Sequence, residues 1–171
     1  MENKVLVAYA TKYGATAEIA EKVGEVLGQA GLDVDVTPVK SVRDLDAYNA
    51  VVLGSAVYVG QWRKPAVKFL KANAQKLAGM PVWVFSSGPS GEGDPVELVN
   101  GWLFPEGLKE QMDQIQPKDT AVFHGAVFAE KLGLIEKQMI KTVKAPTGDF
   151  RDWDAIAAWA AGIADALKVT A

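Results

Sequence analysis

The stretch that decides the fold is Lys4-Val5-Leu6-Val7-Ala8-Tyr9-Ala10-Thr11-Lys12-Tyr13-Gly14-Ala15-Thr16. Its first six residues form a mostly apolar run, which is typical of a strand buried on both faces of a sheet. Small and polar residues follow, and apolar side chains then recur at helical spacing from Ile19 to Ala30, with Gly31 as the stop. The stretch therefore predicts a strand, a tight loop and a helix in immediate succession.

The rest of the chain repeats this alternation. Alternating apolar and polar residues over 32–37 predict an edge strand, and the apolar runs 50–54, 81–85 and 120–123 predict buried strands. Helices are predicted from Pro65, from Pro105, over the amphipathic segment 130–144, and from Trp153 with Asp152 as N-cap. This order predicts an α/β domain over residues 1–171, with a parallel sheet covered by helices on both faces.

Composition excludes several classes of chemistry. The 171 residues include one histidine and no cysteine, so disulfides, thiol nucleophiles, thiolate zinc sites and a two-histidine metal site are all excluded. Eighteen Lys and Arg against 21 Asp and Glu argue against a dedicated nucleic-acid binder. No signal peptide or apolar run of about 18 residues is present, so we expect a cytoplasmic protein whose redox chemistry, if any, comes from a bound cofactor.

Ligands of parallel α/β sheets bind beyond the carboxyl ends of the strands, which directs attention to three loops. The first contains Thr11, Lys12, Tyr13, Gly14, Ala15 and Thr16, and it leads into a helix N-terminus that favours a phosphate. It matches neither the Walker spacing nor the Gly-x-Gly-x-x-Gly pattern. The alternative is that Thr16 only caps the helix and Gly14 only makes the turn.

The other two loops offer aromatic and backbone groups. The second loop brings Tyr58 and Trp62 past the third strand, where an aromatic face can flank a flat ring, unless either residue packs under the next helix. The third loop, 86–95, carries backbone groups that can meet the polar edge of a ring, unless it is only a solvated loop. Together the three loops suggest a mononucleotide such as flavin mononucleotide (FMN).

Two motifs resemble those of the flavodoxin superfamily. The sequence from Tyr9 to Ala20 resembles the flavodoxin phosphate loop, and the sequence from Val52 to Tyr58 resembles the strand that leads to its flavin-flanking aromatic. Within that superfamily the chain looks most like the flavodoxin-domain proteins related to the quinone-dependent protoporphyrinogen oxidase of bacteria. The resemblance implies a doubly wound five-stranded sheet of order 2-1-3-4-5.

The resemblance also implies the residues that contact FMN. Carried over by position, the phosphate loop is residues 11–16, the segment along the ribityl chain and ring comprises Ala56, Val57, Tyr58, Val59 and Gly60, and the segment at the polar edge of the ring comprises Ser86, Ser87, Gly88, Pro89, Ser90 and Gly91. Flavodoxins usually carry hydroxyls where this chain has Lys12 and Tyr13, so Lys12 is expected to supply charge instead. His124 is interpreted as structural rather than catalytic.

The implied function is that of an FMN oxidoreductase that passes electrons between an organic substrate, such as a protoporphyrinogen-like compound, and a quinone or similar acceptor. The alternative is a non-enzymatic electron carrier that docks on redox protein partners. Segment 130–144 holds four lysines against two glutamates, so it is a candidate for peripheral contact with the inner membrane surface, against the alternative of a packed helix with a solvated lysine face. A flavin-free receiver or interaction domain ranks last, because no carboxylate directly follows Tyr9 or Leu53.

Overall fold

A computed structural model describes residues 4–89, 93–128, 133–143 and 148–170. Five parallel strands form its central sheet: β1 (Lys4–Ala10), β2 (Asp33–Pro38), β3 (Ala50–Tyr58), β5 (Val82–Ser87) and β6 (Asp119–Phe123). A two-residue strand, β4 (Gln61–Trp62), pairs antiparallel with the end of β3. The order β2-β1-β3-β5-β6 is the predicted doubly wound order once the short β4 is set aside.

Helices cover the sheet on both faces. The longer ones are α1 (Ala15–Gln29), α2 (Lys64–Leu77), α4 (Lys109–Ile115), α5 (Leu134–Val143) and α6 (Trp153–Thr170), and a short α3 covers Pro95–Leu98. Helices α1 and α6 pack on one face, through side chains such as Ile19 and Ile163, while α2 and α4 pack on the other through Leu70 and Met112. As predicted, Asp152 caps α6, because its carboxylate accepts the Ala155 N–H at 3.0 Å.

Strand β3 is longer than the apolar run 50–54 predicts. It continues through Ser55 to Tyr58, in register with Ser86 and Ser87 of β5. The Ser55 hydroxyl donates to the Ala56 carbonyl and accepts the Arg63 N–H, so this polar side chain is satisfied inside the sheet. Hydroxyl residues that are typical of a loop therefore belong to the ends of both strands.

Strands β3 and β4 form a tight hairpin whose tip is Val59 and Gly60. Both tip residues have positive φ, 52° and 71°, which matches a two-residue turn of the kind that joins twisted antiparallel strands. Val59 is 81% exposed, and its branched side chain is rare in this left-handed conformation. The hairpin brings Trp62 back under the strand ends, where it is buried.

A second short pairing closes the far side of the sheet's carboxyl edge. Strands β7 (Ala126–Val127) and β8 (Gly148–Asp149) pair antiparallel, and the Phe150 N–H donates to the Gly125 carbonyl at 3.1 Å. The chain therefore leaves the sheet after β6 and returns to nearly the same place before α6.

Candidate functional site

The N-terminus of α1 opens directly onto the carboxyl edge of the sheet. Gly14 has φ 98°, a left-handed conformation that favours glycine, and it is the N-cap of α1 with no side-chain cap. The Thr11 hydroxyl accepts the Gly14 N–H at 3.0 Å, and the first helical bond runs from the Glu18 N–H to the Gly14 carbonyl. The amides of residues 15–17 thus precede the helical hydrogen-bond ladder and are available to an anion.

The interpretation of Thr16 as a mere helix cap is wrong. Thr16 lies inside α1 rather than before it, is 2% exposed, and lines a small cavity at the mouth of the helix. The expectation that Gly14 makes the turn holds, and this turn aims the first amides of α1 at the cavity.

A cavity of about 50 Å³ lies where four strands end, and it collects most of the predicted residues. Its lining comes from the phosphate loop, the end of β3, the end of β5 and the segment after β6: Thr11, Tyr13, Ala15, Thr16, Ala56, Val57, Tyr58, Ser87, Gly88, Gly125 and Ala126. Six predicted residues that the structure describes do not line it: Lys12, Gly14, Val59, Gly60, Ser86 and Pro89. Ser90 and Gly91 fall outside the described residues.

Two tyrosines and two cations meet at the cavity. The rings of Tyr13 and Tyr58 make an edge-on contact with centroids 6.4 Å apart. The Lys12 Nζ lies 5.3 Å from the Tyr13 ring centroid and 5.5 Å from that of Tyr58, and the Arg63 guanidinium lies 5.7 Å from the Tyr58 centroid. Burial raises the pKa of the Tyr58 hydroxyl above its ordinary value, while Lys12 and Arg63 act in the opposite direction.

Ser86 and Trp62 support the hairpin from below. Ser86 is fully buried, and its hydroxyl accepts the Trp62 indole N–H at 2.8 Å. The sequence predicts Ser86 as a contact of the ring edge, but its hydroxyl is directed toward the buried indole rather than the cavity. For Trp62 the packing alternative is the correct one, because the residue is 4% exposed.

His124 ties the third loop to the end of β6. Its Nδ1 lies 3.1 Å from the Pro89 carbonyl oxygen and its Nε2 lies 2.6 Å from that of Gly93. The ring is 7% exposed. Both nitrogens face backbone carbonyls, which supports the structural interpretation of this residue.

Gly125 and Ala126 line the cavity but are absent from the predicted site. A Cβ on Gly125 would lie 3.1 Å from the Gly88 Cα, so this position brings two backbones into close contact. The signal is in the sequence, because both residues follow the carboxyl end of strand 120–123. The strand-end rule applies to that strand as well as to the first three.

Arg151 joins the return of the chain to the phosphate loop. Its guanidinium donates to the Asp149 carboxylate, to the Glu18 carboxylate at 2.9 Å and to the Ala15 carbonyl at 3.3 Å, and it lies 4.7 Å from the Trp153 ring centroid. Its side chain is 6% exposed. The hydrogen bonds that Arg151 donates hold the pKa of Asp149 below its ordinary value, and the acceptance of these bonds by Asp149 and Glu18 raises the pKa of Arg151.

Comparisons with known proteins give a consistent result. A family model described as a flavodoxin domain matches residues 6–154. The protoporphyrinogen IX dehydrogenase (quinone) of Escherichia coli is 26% identical over 182 aligned residues, which cover 94% of this chain and 94% of that protein.

Two solved structures share the fold. A cysteine-to-alanine variant of flavodoxin from Pseudomonas aeruginosa superposes with a TM-score of 0.59 at 20% identity, over 96% of this chain and 99% of that one. The rubredoxin oxygen:oxidoreductase of Desulfovibrio gigas gives 0.64 at 16% identity, over 98% of this chain and 36% of that one. Among the described helices, none is long and apolar enough to cross a membrane.

Proposed function

Because the chain belongs to the flavodoxin-domain family, we propose that it binds FMN at the carboxyl edge of the sheet and acts as an oxidoreductase. The observation that carries the proposal is the mouth of α1, where Gly14 presents the amides of residues 15–17 to a cavity flanked by Tyr58. FMN supplies electron transfer in one-electron or two-electron steps when it is bound.

The residues present fit FMN by the chemistry of their donors. Helix amides and the Thr11 hydroxyl suit a phosphate, and an anion at this position is favoured by the positive end of the α1 dipole. The cavity of about 50 Å³ suits a phosphate rather than a whole mononucleotide. The ring would then lie beside the surface aromatics, with the backbone of residues 87–89 at its polar edge.

Each part of the site has a distinct task in this proposal. The phosphate loop binds and orients, Tyr58 covers a ring face, and the backbone of the third loop donates or accepts at the ring edge. Lys12 and Arg63 bring positive charge to the same place and stabilise the negative charge that reduction adds. The proposal therefore includes a flavin that is less reducing than one held in acidic surroundings.

The organic substrate and the acceptor are proposed by kinship with the Escherichia coli relative, whose name specifies protoporphyrinogen IX and a quinone. A cytoplasmic location is part of the same proposal. Contact with the inner membrane surface through 130–144 is part of the proposal as well, because Leu134 and Ile135 are exposed at the start of α5, although 130–132 and 144 lie outside the described residues.

The test is an absorption spectrum of the purified chain, followed by titration of the ligand-free protein with FMN. We expect a flavin spectrum and saturable one-to-one binding. A colourless protein that does not bind FMN would remove the proposal. Steady-state turnover with a reductant and a soluble quinone then separates the two redox functions, since an enzyme saturates whereas a carrier requires a partner protein.

A further inference from the structure

Helix α2 is the most basic segment of the described chain next to the candidate site. From Arg63 to Lys76 the sequence has one arginine, four lysines and no acidic residue. Lys64, Lys68 and Lys71 are exposed and spaced so that they share one side of the helix. This excess of positive charge exceeds that of segment 130–144.

Two open grooves flank these lysines. One, of about 530 Å³, lies between α2 and the short helix Val39–Ser41, and its walls carry Lys40, Lys64 and Lys68. The other, of about 680 Å³, lies between α2 and β4, and its walls carry Lys64, Lys68 and Lys71. Residues such as Phe69 and Trp62 form their apolar floors. No Asp or Glu is among the described residues that line either groove, so both favour a negatively charged occupant.

The basic surface, defined as Lys40, Lys64, Lys68 and Lys71 with the two grooves, is next to the candidate flavin site. Strand β4 lines the second groove and is paired directly with Tyr58 through Gln61. Arg63, between β4 and α2, lies over the Tyr58 ring. A molecule seated on the second groove therefore contacts the strand that is paired with Tyr58.

The shape of the surface favours a protein over a lipid bilayer. Helices that bind bilayers insert protruding apolar side chains, whereas the apolar residues here are recessed below the lysines. Phe69 and Trp62 are buried, and Val67 is only partly exposed. A flat bilayer does not enter the recess between α2 and the helix Val39–Ser41, but a projecting segment with carboxylates and a few apolar side chains does.

We infer that the basic surface docks an acidic redox protein, which exchanges electrons with the cofactor at Tyr58. The inference rests on the proposed redox function for the electron exchange, while the docking itself follows from charge and shape. The positive charge of the pair lies on this chain. Here the acidic member of the pair is the partner.

Docking is tested first without any flavin. The ligand-free full chain is immobilised, and the probe is a strongly acidic 2Fe–2S ferredoxin in its oxidised form, applied at low and at high salt. The variant Lys64→Gln/Lys68→Gln/Lys71→Gln is compared with Lys22→Gln/Lys118→Gln/Lys168→Gln, which removes the same charge away from α2. We expect the first variant to lower affinity about tenfold or more at low salt and the second to change it less than about twofold.

Electron exchange is tested next with the FMN-loaded chain and the reduced ferredoxin in stopped flow. Each encounter oxidises one ferredoxin cluster by one electron and reduces the bound flavin by one electron. We expect the rate to fall steeply with salt in the unmodified chain and in the control variant, and to be slow and nearly independent of salt in the α2 variant.

The outcomes separate the two proposals. If the chain does not bind FMN but still binds ferredoxin in a salt-dependent way, the proposed function is removed and the docking surface stands. Equal affinities and equal salt dependence in the two triple variants overturn the docking surface, whatever the flavin does. Retention of the chain by phosphatidylcholine–phosphatidylglycerol vesicles in an α2-dependent way, without ferredoxin binding, overturns it in favour of a membrane.

Discussion

Arg151 neutralises Glu18 in the first turn of α1, across a 2.9 Å contact between residues that are far apart in the sequence. Glu18 lies in the same turn as the amides that are proposed to bind phosphate, where an uncompensated carboxylate would repel an anion. The guanidinium also bonds to the Ala15 carbonyl and so fixes the start of the helix. Through this ion pair, the segment just before α6 affects how strongly the proposed phosphate site binds an anion.

Replacement of Arg151 should weaken FMN binding. In Arg151→Gln the Glu18 carboxylate loses its counter-charge, and we expect the FMN dissociation constant to rise by about threefold to tenfold at low salt, since Glu18 is largely exposed and partly screened. Adding Glu18→Gln should restore part of the lost affinity. Fluorescence titration checks this, and a double variant as weak as Arg151→Gln alone would show that the effect is structural.

Two glycines at the ends of α1 should respond in opposite ways to alanine. Gly14 has φ 98°, so Gly14→Ala places a side chain in a strained backbone and should cost about 1 kcal/mol of unfolding free energy. Gly28 is helical with open space at its Cβ, so Gly28→Ala should stabilise by about 0.5–1 kcal/mol. Urea denaturation measures both, and equal signs would contradict the assigned conformation of Gly14.

Gly125→Ala should distort the cavity. The new Cβ would lie 3.1 Å from the Gly88 Cα, and the next two nearest atoms, the Gly88 N and O, are also backbone, so the segment after β6 has to move. We expect FMN affinity to fall by about tenfold or more, a loss of about 1.4 kcal/mol. Gly107→Ala, with open space at its Cβ, is the matched control and should bind FMN as the unmodified chain does.

The contact between Tyr48 and Asp35 should make stability depend on alkaline pH. The Tyr48 hydroxyl donates to the Asp35 carboxylate at 2.6 Å, and burial together with this carboxylate raises the pKa of Tyr48 to about 12 from an ordinary value of 10.0. The stabilisation is complete below the unfolded pKa and is lost as pH rises through the folded one, so it declines between about pH 10 and 12.

The expected loss over that range is about 1 kcal/mol, which allows for solvent screening of this partly exposed pair. Urea denaturation as a function of pH measures it, and Tyr48→Phe should flatten the decline. The same bond lowers the pKa of Asp35, so the contribution of that carboxylate is present above its unfolded pKa and disappears as acid protonates it in the folded chain. If the unfolding free energy of Tyr48→Phe fell with alkaline pH as steeply as that of the unmodified chain, the decline would come from groups other than Tyr48.

The core strands could be predicted because burial on both faces requires apolar side chains along the whole strand. Val5, Leu6 and Val7 are fully buried, and so is the run from Ala50 to Leu53, since parallel strands are covered on both faces. The helix from Ile19 follows from its apolar spacing, and the phosphate loop follows from Gly14 at the strand–helix turn. These local patterns carry most of the topology.

The ends of β3 and β5 could not be predicted in the same way. Ser55 and Ser86 are polar, and their burial is acceptable because partners outside their own strands, the Arg63 N–H for Ser55 and the Trp62 indole for Ser86, bond to their hydroxyls. Arg151 is a similar case, because nothing in the local sequence indicates that it reaches Glu18. The sequence alone shows that α2 is rich in lysine. The proposal that these lysines bind a partner depends on the grooves beside them, which only the structure reveals.

The pairing of β7 with β8 brings the two ends of the intervening segment together at one place on the domain. Because Ala126 pairs with Asp149 and Val127 pairs with Gly148, the chain leaves the domain and returns to it at the same short strand pair. A segment mounted in this way can be shortened, lengthened or exchanged among relatives while the sheet, the helix pair α1 and α6 and the phosphate loop stay as they are. Changes confined to this one segment therefore alter which molecules approach this side of the protein, and a foreign loop can be grafted between the same two strands.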